Sequence, residues 1–281
     1  MAREESIKLF MNQFSFHAEN TLKVGVEREC HLMKDGKIVP IAKQVLEWLW
    51  TNNDGRCHCY GYELSACQLE DRTEKPCDLA EVKKLMLKNE ADIQDAEKAL
   101  GFRRVFLGAA PADIPLDHYP TERYDRIVQR LPRQALLAAC RVTGVHILVG
   151  MPDHETALKV YNQVIKYFEM LCRLGYTFSS ERLDLYEEVV DNADKISFSP
   201  RVRLFFEHLI EVRQPPPYAD WQEFYTRACR EGFVNDPRRL WDFIRISKHG
   251  AIEFRMFDTT SDLDRIVFWA ATCRSLCETF L

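Results

Sequence analysis

The stretch Val24-Gly25-Val26-Glu27-Arg28-Glu29-Cys30-His31-Leu32 sets two glutamates, two positions apart, inside an apolar run. Side chains of an extended chain alternate between faces, so Glu27 and Glu29 project to one side. A charge buried in such a run is costly unless it is paired or bound to a cation. The same placement recurs along the chain, at Glu63 and Glu70 in YGYELSACQLED, His146 in TGVHILVG, and Glu253 with Arg255 in AIEFRMFD. Glu253 and Arg255 share a strand face by the same alternation. Glu63 and Glu70 are an odd number of residues apart, so their joint use in one strand requires a bulge, for which Ser65-Ala66-Cys67 is the natural place.

Carboxylates set this way suit phosphoryl transfer. Mg²⁺ takes oxygen ligands, retains waters, and binds through one or two carboxylates together with substrate phosphates. Cations bridging the phosphates, with an arginine on the transferred group, neutralise charge as it moves to the leaving oxygen. Taken singly, an E-x-E strand is most often half of a cross-strand salt bridge, and a strand histidine a hydrogen-bonded core residue. Four such segments in one order point to a two-metal, ATP-handling site.

The order of the segments resembles glutamate–cysteine ligase family 2, the carboxylate-amine ligases. Its G-[IV]-E-x-E strand is matched by Gly25–Glu29, and its E-x6-E-x-x-T by Glu63, Glu70 and Thr73. Gly108–Pro111 resembles its G-x-x-P turn, Glu122-Arg123-Tyr124 its E-R-Y, and Gly144–Gly150 its G-x-H-V-H-V-G strand. Ser199-Pro200-Arg201, Pro215–Tyr218 with Trp221, Leu240–Arg245 and Glu253–Thr259 resemble the later motifs, so the match runs from about Val24 to Thr259. The resemblance implies a glutamine-synthetase-like α+β catalytic domain, a curved antiparallel β-sheet with helices on its outer face. It also implies ATP and Mg²⁺ (or Mn²⁺), with one metal on Glu29, Glu63 and Glu70 and another on Glu27, His146 and Glu253. Arg255 would face the nucleotide γ-phosphate and an acyl phosphate, with Glu253 beside it in the catalytic motif. Arg123, Tyr124, Arg201 and Arg245 become candidates for substrate or nucleotide binding, since a guanidinium fork suits carboxylate and phosphate alike. Surface ion pairing is the other reading of those arginines.

The chain departs from the family pattern in three places. Leu148 stands where the family has a second histidine, on the face of His146. The sequence ends one helix after the closing strand, and Gly175–Ser180 only loosely echoes the segments that shape the acceptor pocket in relatives. The implied activity is ADP-forming ligation of a carboxylate, that of glutamate, to an amine such as cysteine or another amino acid. A metal-dependent phosphotransferase acting on another small acceptor, and a non-catalytic nucleotide-binding relative, stay open.

Composition sets the outer bounds. The 281 residues, 46% hydrophobic and 29% charged, suffice for one catalytic domain spanning 1–281. A net charge of −5 gives no basic footprint for nucleic acid. No run is long and apolar enough for a membrane and Met1–Phe16 lacks a secretory pattern, so a cytoplasmic enzyme acting on small molecules is expected, with a homo-oligomer left open. Ten scattered cysteines read as reduced thiols, and neither Cys57-His58-Cys59 nor Cys273 with Cys277 has structural-zinc spacing. Strands are expected near Leu22–Met33, Tyr60–Leu69, Arg104–Leu107, Val142–Val149 and Ala251–Phe257. Helices are expected near Ala42–Trp50, Leu79–Leu100, Thr121–Leu131, His154–Arg173, Val202–Val212, Asp220–Glu231 and Asp262–Phe280.

Overall fold

The computed structural model describes residues 2–176, 198–210 and 214–281. The echo at Gly175–Ser180 and the end of the expected Val202–Val212 helix run into stretches outside these residues. Eight strands form one open sheet: β1 (Val24–Lys34), β2 (Lys37–Ile38), β3 (Tyr60–Tyr62), β4 (Gln68–Arg72), β5 (Arg103–Val105), β6 (Gly144–Gly150), β7 (Ile244–Ser247) and β8 (Ala251–Asp258). All pairings are antiparallel, in the order β3-β4-β1-β6-β8-β7, with β2 and β5 added along β1. The α-helices are α1 (Ala2–Met11), α2 (Ala42–Asn52), α3 (Leu79–Leu100), α4 (Glu122–Val128), α5 (Arg133–Arg141), α6 (His154–Val164), α7 (Phe168–Leu174), α8 (Pro200–His208), α9 (Trp221–Glu231) and α10 (Leu263–Phe280).

Alternation sorts the two faces. Val145, Ile147 and Val149 of β6 and Ile252, Phe254 and Met256 of β8 join one apolar cluster with Val160 and Val164 of α6 and Ile266 and Trp269 of α10. Their neighbours His146, Leu148, Glu253 and Arg255 line a cavity on the opposite face. α3 is bounded as its sequence asks: Asp78 and Glu81 form a reciprocal capping box, and Gly101 ends it in the left-handed region at φ 67°. The expected helix over His154–Arg173 is interrupted by a 3₁₀ turn at Ile165–Tyr167.

Behind β1, between Val24 and Val26 of one apolar cluster and Cys30 and Leu32 of another, sits the fully buried Arg28. Its guanidinium meets Asp71 of β4 at 3.0 and 3.2 Å and also Glu90 of α3. Arg104 of β5 continues the chain of charges, 2.9 Å from Glu90 and 3.1 Å from Glu97. Asn89 of α3 closes it, donating to Asp71 and to the Arg72 carbonyl. A buried charge is tolerable when opposite charges and amide donors surround it in this way.

Candidate active site

The site is built by strand register. β1 pairs Glu27 with Arg72 of β4 on one side and His146 of β6 on the other, and pairs Glu29 with Glu70. β8 sets Glu253 between Leu148 of β6 and Arg245 of β7. The expected bulge at Ser65–Cys67 is replaced by a reversal: Tyr62 pairs with Leu69, so Glu63 and Glu70 lie on two strands' worth of chain rather than one. A turn in which the Cys67 amide donates to Ser65 Oγ makes that reversal and brings Glu63 to Glu70. A bulge does occur in β8. Val145 pairs with Phe257 and Ile147 with Phe254, which leaves Arg255 and Met256 both opposite His146.

Two ligand-like trios result, Glu27 with His146 and Glu253, and Glu29 with Glu63 and Glu70, each with donor atoms within 4.8 Å of one another. His146 stands between them, its Nδ1 3.3 Å from Glu27 and its Nε2 3.4 Å from Glu29. That Nε2 is buried with no hydrogen-bond partner. Burial and the neighbouring Glu29 charge push the Glu63 carboxyl up to about 7. Burial and Glu27 hold Glu70 well above the usual carboxylate range, although Arg72 opposes them from 3.2 Å. Glu253 goes the other way: burial raises it, but Arg245 and Arg255 outweigh burial and bring it to about 2. Glu27 is likewise lowered, as the His146 hydrogen bond and Arg72 overcome burial and the Glu253 charge. Carboxylates crowded until they hold protons, beside a histidine nitrogen without a partner, fit hard divalent cations.

The arginines differ in how far they are committed. Arg245 grips Glu253 with both edges, at 2.8 and 2.9 Å, and donates to the Leu240 carbonyl. Arg255 comes no nearer than 3.6 Å to Glu253 and has no side-chain hydrogen bond among the described residues. Arg201 of α8 is buried, gives one hydrogen bond to the Arg255 carbonyl at 2.7 Å, and leaves its Nε without a partner. Arg123 lies over the Tyr124 ring at 5.4 Å, and Tyr124 donates to the Tyr62 carbonyl. All of these line one cavity of about 390 Å³ together with both trios. Gly144 keeps the space beside Arg201: a Cβ there would stand 2.4 Å from its guanidinium, and the Gly144 amide donates to Glu29 at 2.7 Å.

Arg72, Lys248 and His249, which no sequence motif singles out, also line the cavity, as does Trp241 of the Leu240–Arg245 segment. Arg72 was accessible, since it lies two positions after Glu70 on the same strand face. Lys248 and His249 sit in the β7–β8 turn, where no periodicity marks them. The Pro215–Pro217 run does not line the cavity and instead packs near α6, where Tyr161 donates to the Pro216 carbonyl.

A family model described as glutamate-cysteine ligase family 2 matches residues 23–174, more than half of the chain. The chain belongs to glutamate–cysteine ligase family 2. Among curated relatives, "Putative glutamate--cysteine ligase 2" of Leifsonia xyli subsp. xyli is 25% identical over 287 residues, 96% of this chain and 71% of that protein. "Putative glutamate--cysteine ligase 2-3" of Rubrobacter xylanophilus is 27% identical over 273 residues, 93% of this chain and 70% of its own. A solved bifunctional glutathione synthetase from Pasteurella multocida has the same fold, with a TM-score of 0.58 at 14% identity. The alignment takes in 98% of this chain but 40% of the synthetase chain. Leu148 lies opposite Glu253 on the cavity wall.

Proposed function

We propose that the protein is an ATP-dependent, ADP-forming carboxylate-amine ligase of the glutamate–cysteine ligase type, with residues 1–281 acting as one catalytic domain. A carboxylate, that of glutamate, is activated by ATP as an acyl phosphate and then joined to the amine of cysteine or another amino acid, releasing phosphate. The observation that supports this best is the pair of trios flanking His146 with the uncommitted Arg255 guanidinium at their edge. Glu27, His146 and Glu253 would hold one Mg²⁺ or Mn²⁺, and Glu29, Glu63 and Glu70 another. Bound there, the cations supply positive charge to the phosphates and to the group being transferred.

The chain's own groups do the rest. Arg245 keeps Glu253 ionised and oriented, so that carboxylate is ready without reorganisation. Arg255 offers its fork to the transferred phosphoryl, where a contact that strengthens in the transition state lowers the barrier. Arg123 and Tyr124 close the substrate side of the cavity. Among the described residues no helix is long and apolar enough to cross a membrane, and all ten cysteines are free. Free thiols in that number suit a reducing, cytoplasmic setting.

The decisive experiment combines ATP, Mg²⁺ and pooled amino acids and looks by mass spectrometry for a condensed product. Ligation requires ADP release to depend on both an acid and an amine. ADP release with a single acceptor and no amide product would instead make the protein a phosphotransferase.

A further inference from the structure

The cavity lining differs along β6, with an apolar wall on one side of the Gly144 end, across from Glu29, which accepts from the Gly144 amide at 2.7 Å. Gly144 and Leu148 are four residues apart, so the two ends of the strand's cavity face are separated by about 13 Å. The Leu148 end meets Glu253, Arg245 and Lys248, all polar. At the Gly144 end, α8 presents Arg201 and Phe205, one turn apart on one helix face, and Leu209 follows as the residue that caps the helix. Ile127 of α4, Ala139 of α5 and Val142 complete that wall. Apart from Arg201, none of these side chains can hydrogen-bond. The Phe205 ring lies 5.1 Å from the Arg201 guanidinium carbon, so the charge and the apolar wall are adjacent.

Arg201 itself is the second observation. It is 1% exposed, has no carboxylate within ion-pair reach among the described residues, and leaves a buried N–H unused. A buried guanidinium without an anion is costly, and an incoming carboxylate would remove that cost. A planar fork beside an apolar wall matches an α-carboxylate attached to a hydrocarbon side chain. A small polar side chain such as that of cysteine would leave the wall uncovered.

Resting on the ligase reading, we propose that this end of the cavity is the acceptor subsite and selects an α-amino acid with an aliphatic or aromatic side chain. Its carboxylate lies on Arg201 and its side chain against Phe205, Leu209, Ile127, Ala139 and Val142. In the joining step the acceptor nitrogen bonds to the acyl carbon and the acyl carbon–oxygen bond to phosphate breaks. Phosphate leaves with the electron pair, and the amine's proton passes to solvent.

The test is calorimetric binding of leucine, phenylalanine, cysteine and aspartate to the full chain, with Mg²⁺, glutamate and a non-hydrolysable ATP analogue present. Leucine and phenylalanine should bind at least about tenfold more tightly than cysteine or aspartate, the scale set by a few methylenes in an apolar pocket. Isopentylamine, which is leucine without its carboxylate, should bind at least about tenfold more weakly than leucine. Leu209→Asp should remove the preference for leucine, with circular dichroism melts reporting whether the variant folds. Gly144→Ala, which crowds Arg201, provides a second variant and should weaken leucine binding. Cysteine binding as tightly as leucine, or isopentylamine binding as tightly as leucine, would overturn the subsite. A condensed product made preferentially with cysteine would overturn it too while leaving the ligase reading intact. Selective leucine binding without any condensed product would uphold the subsite and count against the ligase reading.

Discussion

The two faces of β1 solve the same electrostatic problem in opposite ways. Behind the strand, Arg28, Arg104 and Asn89 meet Asp71, Glu90 and Glu97 at hydrogen-bond distance, so each carboxylate has an arginine partner within the chain. In front, Glu27, Glu29 and Glu63 have no arginine ion pair among the described residues, and His146 alone spans Glu27 and Glu29. The back pairs its carboxylates with arginines, whereas the front leaves Glu27, Glu29 and Glu63 without one among the described residues. The contrast shows that burial of carboxylates does not by itself mark a site, since those behind β1 are held by arginines of the fold.

The largest expected effect comes from breaking the paired side. Arg28→Met leaves Asp71 and Glu90 buried with a partner removed, which should cost about 3–5 kcal/mol of stability in urea titrations. The Mg²⁺-induced rise in melting temperature should survive in that variant. A loss below about 1 kcal/mol, the scale of an exposed pair, would mean the back network is not an anchor.

On the open side, Arg255→Lys retains a charge but loses the fork. Turnover should fall on the order of 10²-fold or more, with a much smaller change in ATP affinity. ADP release at the wild-type rate would reduce Arg255 to a structural partner of Glu253.

Glu70→Gln sharpens the contrast because its sign is opposite to that of Arg28→Met. Removing a carboxyl that folding holds well above its ordinary pKa should stabilise the metal-free protein at neutral pH, seen as a higher melting temperature. The same change should remove most of the Mg²⁺ stabilisation, since a cation binding only the folded state acts by mass action. A full Mg²⁺ response in Glu70→Gln melts would show that Glu70 holds no metal.

The two faces should also answer pH in opposite directions. Glu63 is raised to about 7, so its contribution is fully present below the ordinary carboxylate range and is lost as pH rises through about 7. Glu90 is lowered because Arg28 and Arg104 outweigh burial, so its contribution is present above that range and is lost on acidification. Melts of the metal-free protein should therefore show a neutral-side decline that Glu63→Gln flattens and an acid-side decline that Glu90→Gln flattens. If neither substitution altered its limb, the assignment of these groups would fail.

The smallest effect is expected at Leu148, which faces Glu253 across the β6–β8 pairing. Leu148→His restores a polar group near the Glu27 trio and should tighten ATP binding by roughly one hydrogen bond's worth, several-fold by calorimetry. Equal or weaker binding would show that the pocket has been reshaped around leucine.

Much of this was legible before any coordinates. Two-residue alternation placed Glu27 with Glu29 and Glu253 with Arg255, and the capping pattern at Asp78 and Gly101 set both ends of α3. Periodicity could not show that Tyr60–Leu69 turns back on itself, because a tight reversal and a bulge both shift the phase by one. Nor could it show the bulge opposite His146, which depends on how β6 and β8 align. The helices α1 and α5 and the strand β7 went unmarked, although Ile244-Arg245-Ile246-Ser247 alternates as a strand should. Arg201 is a binding candidate from the Ser199-Pro200-Arg201 motif, but its burial is not legible there. Its burial without a carboxylate at ion-pair distance among the described residues depends on how α8 sits against β6, and no local pattern encodes that.

Glu27, Arg28 and Glu29 have a consequence for how the chain finds its register. β1 is paired with four different strands, and a slip by one residue would send Arg28 into the cavity and both glutamates into hydrocarbon. A misaligned strand would thus set both glutamates against Asp71 and Glu90 behind the sheet and take both out of the cavity. The register of the whole sheet is therefore tied to the cost of burying two carboxylates without partners, a cost that the native alignment of these three residues avoids.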